Sequence, residues 1–325
     1  MIKPSEETIK RALRALSGAV LAGLAILLLL GLLSLLFIPK NNTARDGILD
    51  QKANGILGEP KNTIDVLFVG DSEVLSAFSP LEIWGEYGFT SYDCAMKGHR
   101  MPDRYSLLLQ ATEEQKPKVV VIETHDCYSP FTPGMAFIRS VQDALPVLEY
   151  HDRWKSLTFA DVTEEPDATW TDDLKGFYLN TDVEPANDEG HMAPTDEVEK
   201  LAVMNRWYLK RMIDHCREIG AVPVLVSSPS TYNWNTARHN GIAEFAKGAN
   251  VEYIDLNVEP TKVDIDWETD TRDGGDHLNL YGAVKVSDWV GEYLSESYGL
   301  SDHREDPKFQ AWNEALERYE ELIDR

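Results

Sequence analysis

Two short segments about 200 residues apart carry the residue types that nucleophilic catalysis needs. The first, Val66-Leu67-Phe68-Val69-Gly70-Asp71-Ser72-Glu73, is an apolar run that ends at Gly-Asp-Ser. The second, Asp273-Gly274-Gly275-Asp276-His277-Leu278-Asn279, joins an imidazole to nearby carboxylates. A short apolar run bounded in this way reads as a buried strand, and open α/β sheets place their chemistry at the carboxyl ends of strands. A serine hydroxyl is unreactive at its own pKa and needs a base within hydrogen-bond reach. His277 supplies the base, and a carboxylate beside it would orient the ring and stabilise the imidazolium. Asp273 and Asp276 both qualify. Asp273 is preferred, because an adjacent residue must bend sharply to reach its neighbour's ring nitrogen. After Ser72 the chain turns toward a helix, whose free N–H groups would steady a developing oxyanion. Taken alone, Gly-Asp-Ser would serve equally well as a helix cap. Taken together, the segments predict serine-type acyl transfer.

The elements between them must bring these segments together. Apolar strand patterns fall at 64–69, 90–94, 118–123, 222–227 and 251–256, and helical patterns at 80–87, 102–115, 195–219, 236–248 and 280–298. Alternation of this kind predicts a mostly parallel sheet covered on both faces. Residues 129–194, rich in Asp, Glu, Pro, Thr and aromatics, are too long for an ordinary connection and are expected to form an inserted cap beside the site. The stretch 301–325 carries Phe309, Trp312, Leu316, Tyr319 and Ile323 at helical spacing, an amphipathic helix expected to pack on its own domain.

Between Arg14 and Lys40 lie 25 uncharged residues, Ala15 to Pro39. About 20 such residues cross a hydrocarbon core, so 15–39 is expected to be an uncleaved transmembrane anchor. Lys3, Lys10, Arg11 and Arg14 precede it, which places 1–14 in the cytoplasm and the rest of the chain outside. Residues 40–62 read as a linker, followed by the main domain at 63–300. A formal net charge of −24 leaves no basic footprint for a nucleic acid, so none is expected as a partner. Cys94, Cys127 and Cys216 are too few and scattered for a disulfide framework or a zinc site. The pairs His125-Asp126 and His151-Asp152 lack further ligands of metal-site spacing, so no metal is expected, and no phosphate cradle or dinucleotide fingerprint points to a cofactor.

A strand ending in Gly-Asp-Ser, a Gly after the second strand, a polar residue after the third and a C-terminal Asp-and-His segment resemble the SGNH/GDSL hydrolase superfamily over 64–298. The single anchor and the His277-Leu278-Asn279 ending are similar to the membrane-anchored D-alanyl transfer proteins and to alginate-type O-acetyltransferases. The resemblance implies a three-layer α/β/α sandwich of SGNH/flavodoxin-like type behind one transmembrane helix. It implies Ser72 as nucleophile, His277 as base and Gly98 as an oxyanion donor. His125 stands where the superfamily's third block carries Asn, and would donate through a ring N–H. The carboxylate lies four residues before His277 rather than three. The implied activity is an acyl esterase or O-acyltransferase acting on a cell-surface polymer or glycan. The alternative is a non-catalytic scaffold of the same fold that partners a membrane O-acyltransferase or a cell-envelope assembly.

Overall fold

Five apolar runs alternate with helices, and each becomes a strand of one parallel sheet in the computed structural model, which describes residues 5–323. Lys3 and Arg325 fall outside the described residues. The strands are β1 (Val66–Gly70), β2 (Ser91–Ala95), β3 (Val119–Glu123), β4 (Val222–Ser227) and β5 (Glu252–Asp255), in the spatial order β2-β1-β3-β4-β5. The sheet therefore grows in opposite directions from β1, and the crevice beyond the carboxyl ends of β1 and β3 is where open α/β sheets bind ligands.

Side chains along a strand alternate between faces, and the core divides accordingly. Leu67, Val69, Val120 and Ile122 pack with Leu107, Leu108, Leu209, Met212 and Ile242 from helices Met101–Glu114, Val203–Glu218 and Thr236–Ala249. Val66, Phe68, Val119 and Val121 pack with Val74, Ile83, Val286 and Val290 from helices Ser72–Ala77, Pro80–Tyr87 and Leu280–Tyr298. Each fully buried Leu, Val or Phe contributes about 1.5–3 kcal/mol of transfer free energy. Covering both faces is why these strands read as unbroken apolar runs rather than as alternating ones.

Helix Glu6–Phe37 begins about two and a half turns before the uncharged run, where the Ser5 hydroxyl accepts from the Thr8 N–H. Its 32 residues are long and apolar enough to cross a membrane, and nearly all of its surface is exposed. Residues 40–62 do not stand free as a linker. Ile48, Ala53 and Ile56 are buried against the domain, and the buried Asn42 amide donates to the Asn54 and Trp170 carbonyls. Apolar residues at helical spacing had to find a surface.

The 129–194 insertion is not a lid along its whole length. Its first residues, Ser129 and Pro130, reach the Ser72 pocket. The stretch around Pro146–Leu148 and His151–Lys155 instead packs on the end of helix Glu6–Phe37. Further on, Glu184 and Ala186 pair by backbone hydrogen bonds with Thr271 and Trp267 beside the His277 loop. The helix expected from 195 begins at Val203. Residues before it are held extended, because the Asn240 amide donates to the Thr195 and Glu197 carbonyls and the Tyr128 hydroxyl to the Glu199 carbonyl. Helix Gln310–Ile323 packs on the domain by setting Trp312 against Trp84, ring centroids 5.3 Å apart. All three cysteines are buried free thiols.

Candidate active site

Asp71 caps helix Ser72–Ala77 by accepting from the Glu73 N–H at 3.1 Å, which leaves Ser72 as the first helical residue with its hydroxyl at the mouth of the crevice. Gly70 is required just before: a Cβ there would lie 2.4 Å from Val74 Cγ2 and 3.0 Å from Glu123 Cβ. Capping and presentation of the hydroxyl thus occur in one segment, on adjacent residues.

Across the crevice the second segment forms a narrow hairpin. Thr271 bridges Leu278, and the Arg272 N–H donates to the His277 carbonyl. Gly274 (φ +72°) and Gly275 (φ +92°) make the reversal in a backbone region that side-chain-bearing residues avoid. The Ser230 hydroxyl ties the loop to β4 by donating to the Gly275 carbonyl. Folded this way, Asp273 comes back over His277. Its Oδ1 accepts the His277 backbone N–H at 2.7 Å and its Oδ2 pairs with ring Nδ1 at 2.7 Å. A four-residue spacing therefore suffices for orientation, since one carboxylate holds both the backbone and the ring. His277 Nε2 lies 2.8 Å from Ser72 Oγ. Asp276 sits 3.5 Å from Nδ1, and its Oδ1 accepts instead from the Asn233 amide. Burial and the nearby Asp273 carboxylate push the Asp276 carboxyl up, against the pull of His277.

The other two expected residues are placed differently. Gly98 lies in an exposed turn and is not among the residues lining the Ser72 pocket. His125 does line it, but from within the protein. Its Nδ1 faces Glu73 Oε1 at 3.5 Å and its Nε2 faces Glu123 Oε1 at 3.6 Å, while the ring stacks on Trp234 at 4.6 Å. Both nitrogens thus point at carboxylates, so the expected free N–H toward an oxyanion is not what the ring offers. Burial opposes its charge, yet Glu123 and Glu73 outweigh that and push its pKa up to about 9. Burial raises Glu73, and Glu123 to about 7. A carboxylate cluster this dry persists only when cations are built into it.

Sequence reasoning missed that second cation. Arg104 is fully buried and its Nη2 lies 3.3 Å from Asp71 Oδ1 and 3.1 Å from Asp126 Oδ2. Arg104 lies in the first turn of helix Met101–Glu114, and only the fold places it beside Asp71. Asn233 and Arg238, which also line the pocket, follow β4; the tendency of sites to form from loops after parallel strands was the available signal. The pocket itself encloses about 230 Å3, bounded by Tyr128, Ser129, Pro130, Asp276 and His277. Glu73, Asp276 and His277 hold metal-type ligand atoms within 4.8 Å of one another, but both ring nitrogens of His277 are already engaged by Asp273 and Ser72.

No protein-family model matches the chain, and no curated protein matches it. Solved structures do. A lipase/acylhydrolase from Enterococcus faecalis is 12% identical, with 74% of this chain and 98% of that one covered at a TM-score of 0.39. A GDSL-like lipase from Bacteroides thetaiotaomicron is 10% identical, with 71% and 88% covered at a TM-score of 0.36. At these identities and TM-scores the likeness stops at the outline of the α/β fold and says nothing of what this chain does.

Proposed function

We propose that this chain is a membrane-anchored serine acyl esterase or O-acyltransferase. The observation that carries the proposal is the continuous relay Ser72 Oγ, His277 Nε2, His277 Nδ1, Asp273 Oδ2, with hydrogen bonds of 2.8 and 2.7 Å. With the Nδ1 proton donated to Asp273, Nε2 carries the lone pair that accepts the Ser72 proton. Ser72 Oγ attacks the acyl carbonyl, and the Ser72 backbone N–H at the helix start faces the oxyanion that forms. His277 returns the proton to the leaving oxygen. An incoming hydroxyl, from water or from a sugar or polyol, then gives its proton to His277 and takes the acyl group, and His277 passes the proton to the departing Ser72 Oγ. Helix Glu6–Phe37 anchors the protein, with Lys10, Arg11 and Arg14 at its cytoplasmic end and the domain outside. Such a placement suits a cell-surface polymer or glycan as the acyl acceptor or donor.

The test is turnover of a chromogenic acetyl ester together with labelling by a serine-reactive phosphonate. Ser72→Ala is expected to lower kcat/KM at least about 10⁴-fold and to abolish labelling. An unlabelled, inactive wild-type protein overturns the proposal. One observation favours the alternative, a non-catalytic partner of a membrane O-acyltransferase: neither Gly98 nor His125 supplies a second oxyanion donor in this arrangement.

A further inference from the structure

We infer that the insertion docks on the bilayer surface, with Leu148, Trp154, Phe159 and Val162 seated in the lipid interface. The argument begins from where the membrane must end. A hydrocarbon core of about 30 Å takes about 20 helical residues at 1.5 Å each. Arg14 is the last charge before the apolar run, and 20 residues from Ala15 end at Ser34. Ser34 therefore marks the hydrocarbon boundary, and Phe37, one turn further, lies in the headgroup layer.

The insertion is bonded to the helix at that level. The Val147 backbone N–H donates to Ser34 Oγ at 3.2 Å, and both residues are buried. Arg153 Nη1 donates to the Phe37 and Ile38 carbonyls at 2.7 and 3.0 Å, satisfying groups a helix end leaves open. Its Nη2 pairs at 2.6 Å with the buried Asp161, whose other oxygen accepts from Thr158 and so fixes the following turn, Ala160–Thr163, beside the helix. These contacts place 146–163 against the last turn of the spanning helix rather than above it. On this stretch Phe159 is 81% exposed, Val162 70%, Trp154 64% and Leu148 39%.

Large apolar side chains exposed on elements held at the hydrocarbon boundary are stable in the interface, where Trp and Phe are favoured and water is not the only solvent. Charges interleaved with them, Asp152 and Lys155, are paired with each other at 3.0 Å, and Lys155 also lies over the Trp154 ring. Docking of this face would fix the tilt of the whole domain on the membrane, including the height of the Ser72 pocket. The inference rests on the membrane span and not on the catalytic reading.

The full-length chain in phosphatidylcholine–phosphatidylglycerol nanodiscs containing doxyl-labelled lipid tests it. A bimane label is placed on Phe159→Cys, with Leu24→Cys as the in-membrane reference and Tyr232→Cys as the water reference; the native cysteines are buried. Quenching at 159 at least twofold above that at 232 is expected. A label at 159 as unquenched as at 232, while 24 is quenched, overturns docking and leaves the anchor standing. An unquenched label at 24 overturns the span and the inference with it. Cross-linking of 159 to a second copy in place of lipid quenching overturns it in favour of an interface between chains.

Discussion

Ser72 shares its pocket with two histidines, each set among carboxylates, and the two clusters differ in almost every physical respect. His277 is partly exposed, on a hairpin at the crevice mouth, and both ring nitrogens make hydrogen bonds of 2.7–2.8 Å, one of them to Ser72. His125 is buried, its nitrogens stand 3.5 and 3.6 Å from Glu73 and Glu123, and neither makes a hydrogen bond. On the proposed reading the first arrangement directs a proton; the second balances charge. The contrast teaches that a histidine beside an acid is not a functional class. Hydrogen-bond direction and solvent access decide whether the ring exchanges a proton with a neighbour or keeps it.

The comparison breaks most sharply at the orienting acid. Asp273→Asn retains the shape but favours the wrong ring tautomer, and is expected to lower kcat about 10³–10⁴-fold, roughly 4–5.5 kcal/mol. Steady-state ester hydrolysis in detergent reads it; a loss under tenfold would remove Asp273 from the orienting role.

In the buried cluster, His125→Gln removes the cation between two buried carboxylates. A stability loss of about 3 kcal/mol at pH 6.5 is expected in urea unfolding. The sign with pH follows from the raised value. His125 holds its proton more tightly when folded, about 9 against 6.5. Its stabilisation is therefore complete below pH 6.5 and lost as pH rises through about 9. Wild type and variant should converge between those limits. Glu123, raised to about 7, adds a separate loss at lower pH, from 4.5 to 7, which meets the His125 range only at its start. A gap that stays constant to pH 9.5 would show that His125 is neutral in the folded protein.

The smallest effect sharpens the choice between neighbouring acids. Asp276 faces Asn233 more closely than it faces the ring, so Asp276→Asn is expected to change kcat less than tenfold. Loss on the scale of Asp273→Asn would make the two carboxylates a joint orienting unit.

Much of this was legible in one dimension. Strands buried on both faces must be apolar throughout, so β1, β3 and β4 appear as runs whose limits differ by two residues or fewer from those observed. Gly-Asp-Ser after such a run, and an imidazole among acids before a helix, located the crevice from both sides. Residues 195–202 were not legible, because the bonds that keep them extended come from Asn240 and Tyr128. Nor was the linker at 40–62, whose few apolar residues gain their surface only from the assembled domain.

What the amino-acid order determined by itself is what depends on neighbours along the chain: strand and helix periodicity, and the length of the uncharged run 15–39. Tertiary structure decided everything that depends on distance through space. It set His277 against Ser72, turned His125 toward Glu73 and Glu123, and buried Arg104 beneath Asp71. Hydrogen bonds and ion pairs act over a few ångströms, and no spacing in sequence encodes which of the many acids here will come within that reach.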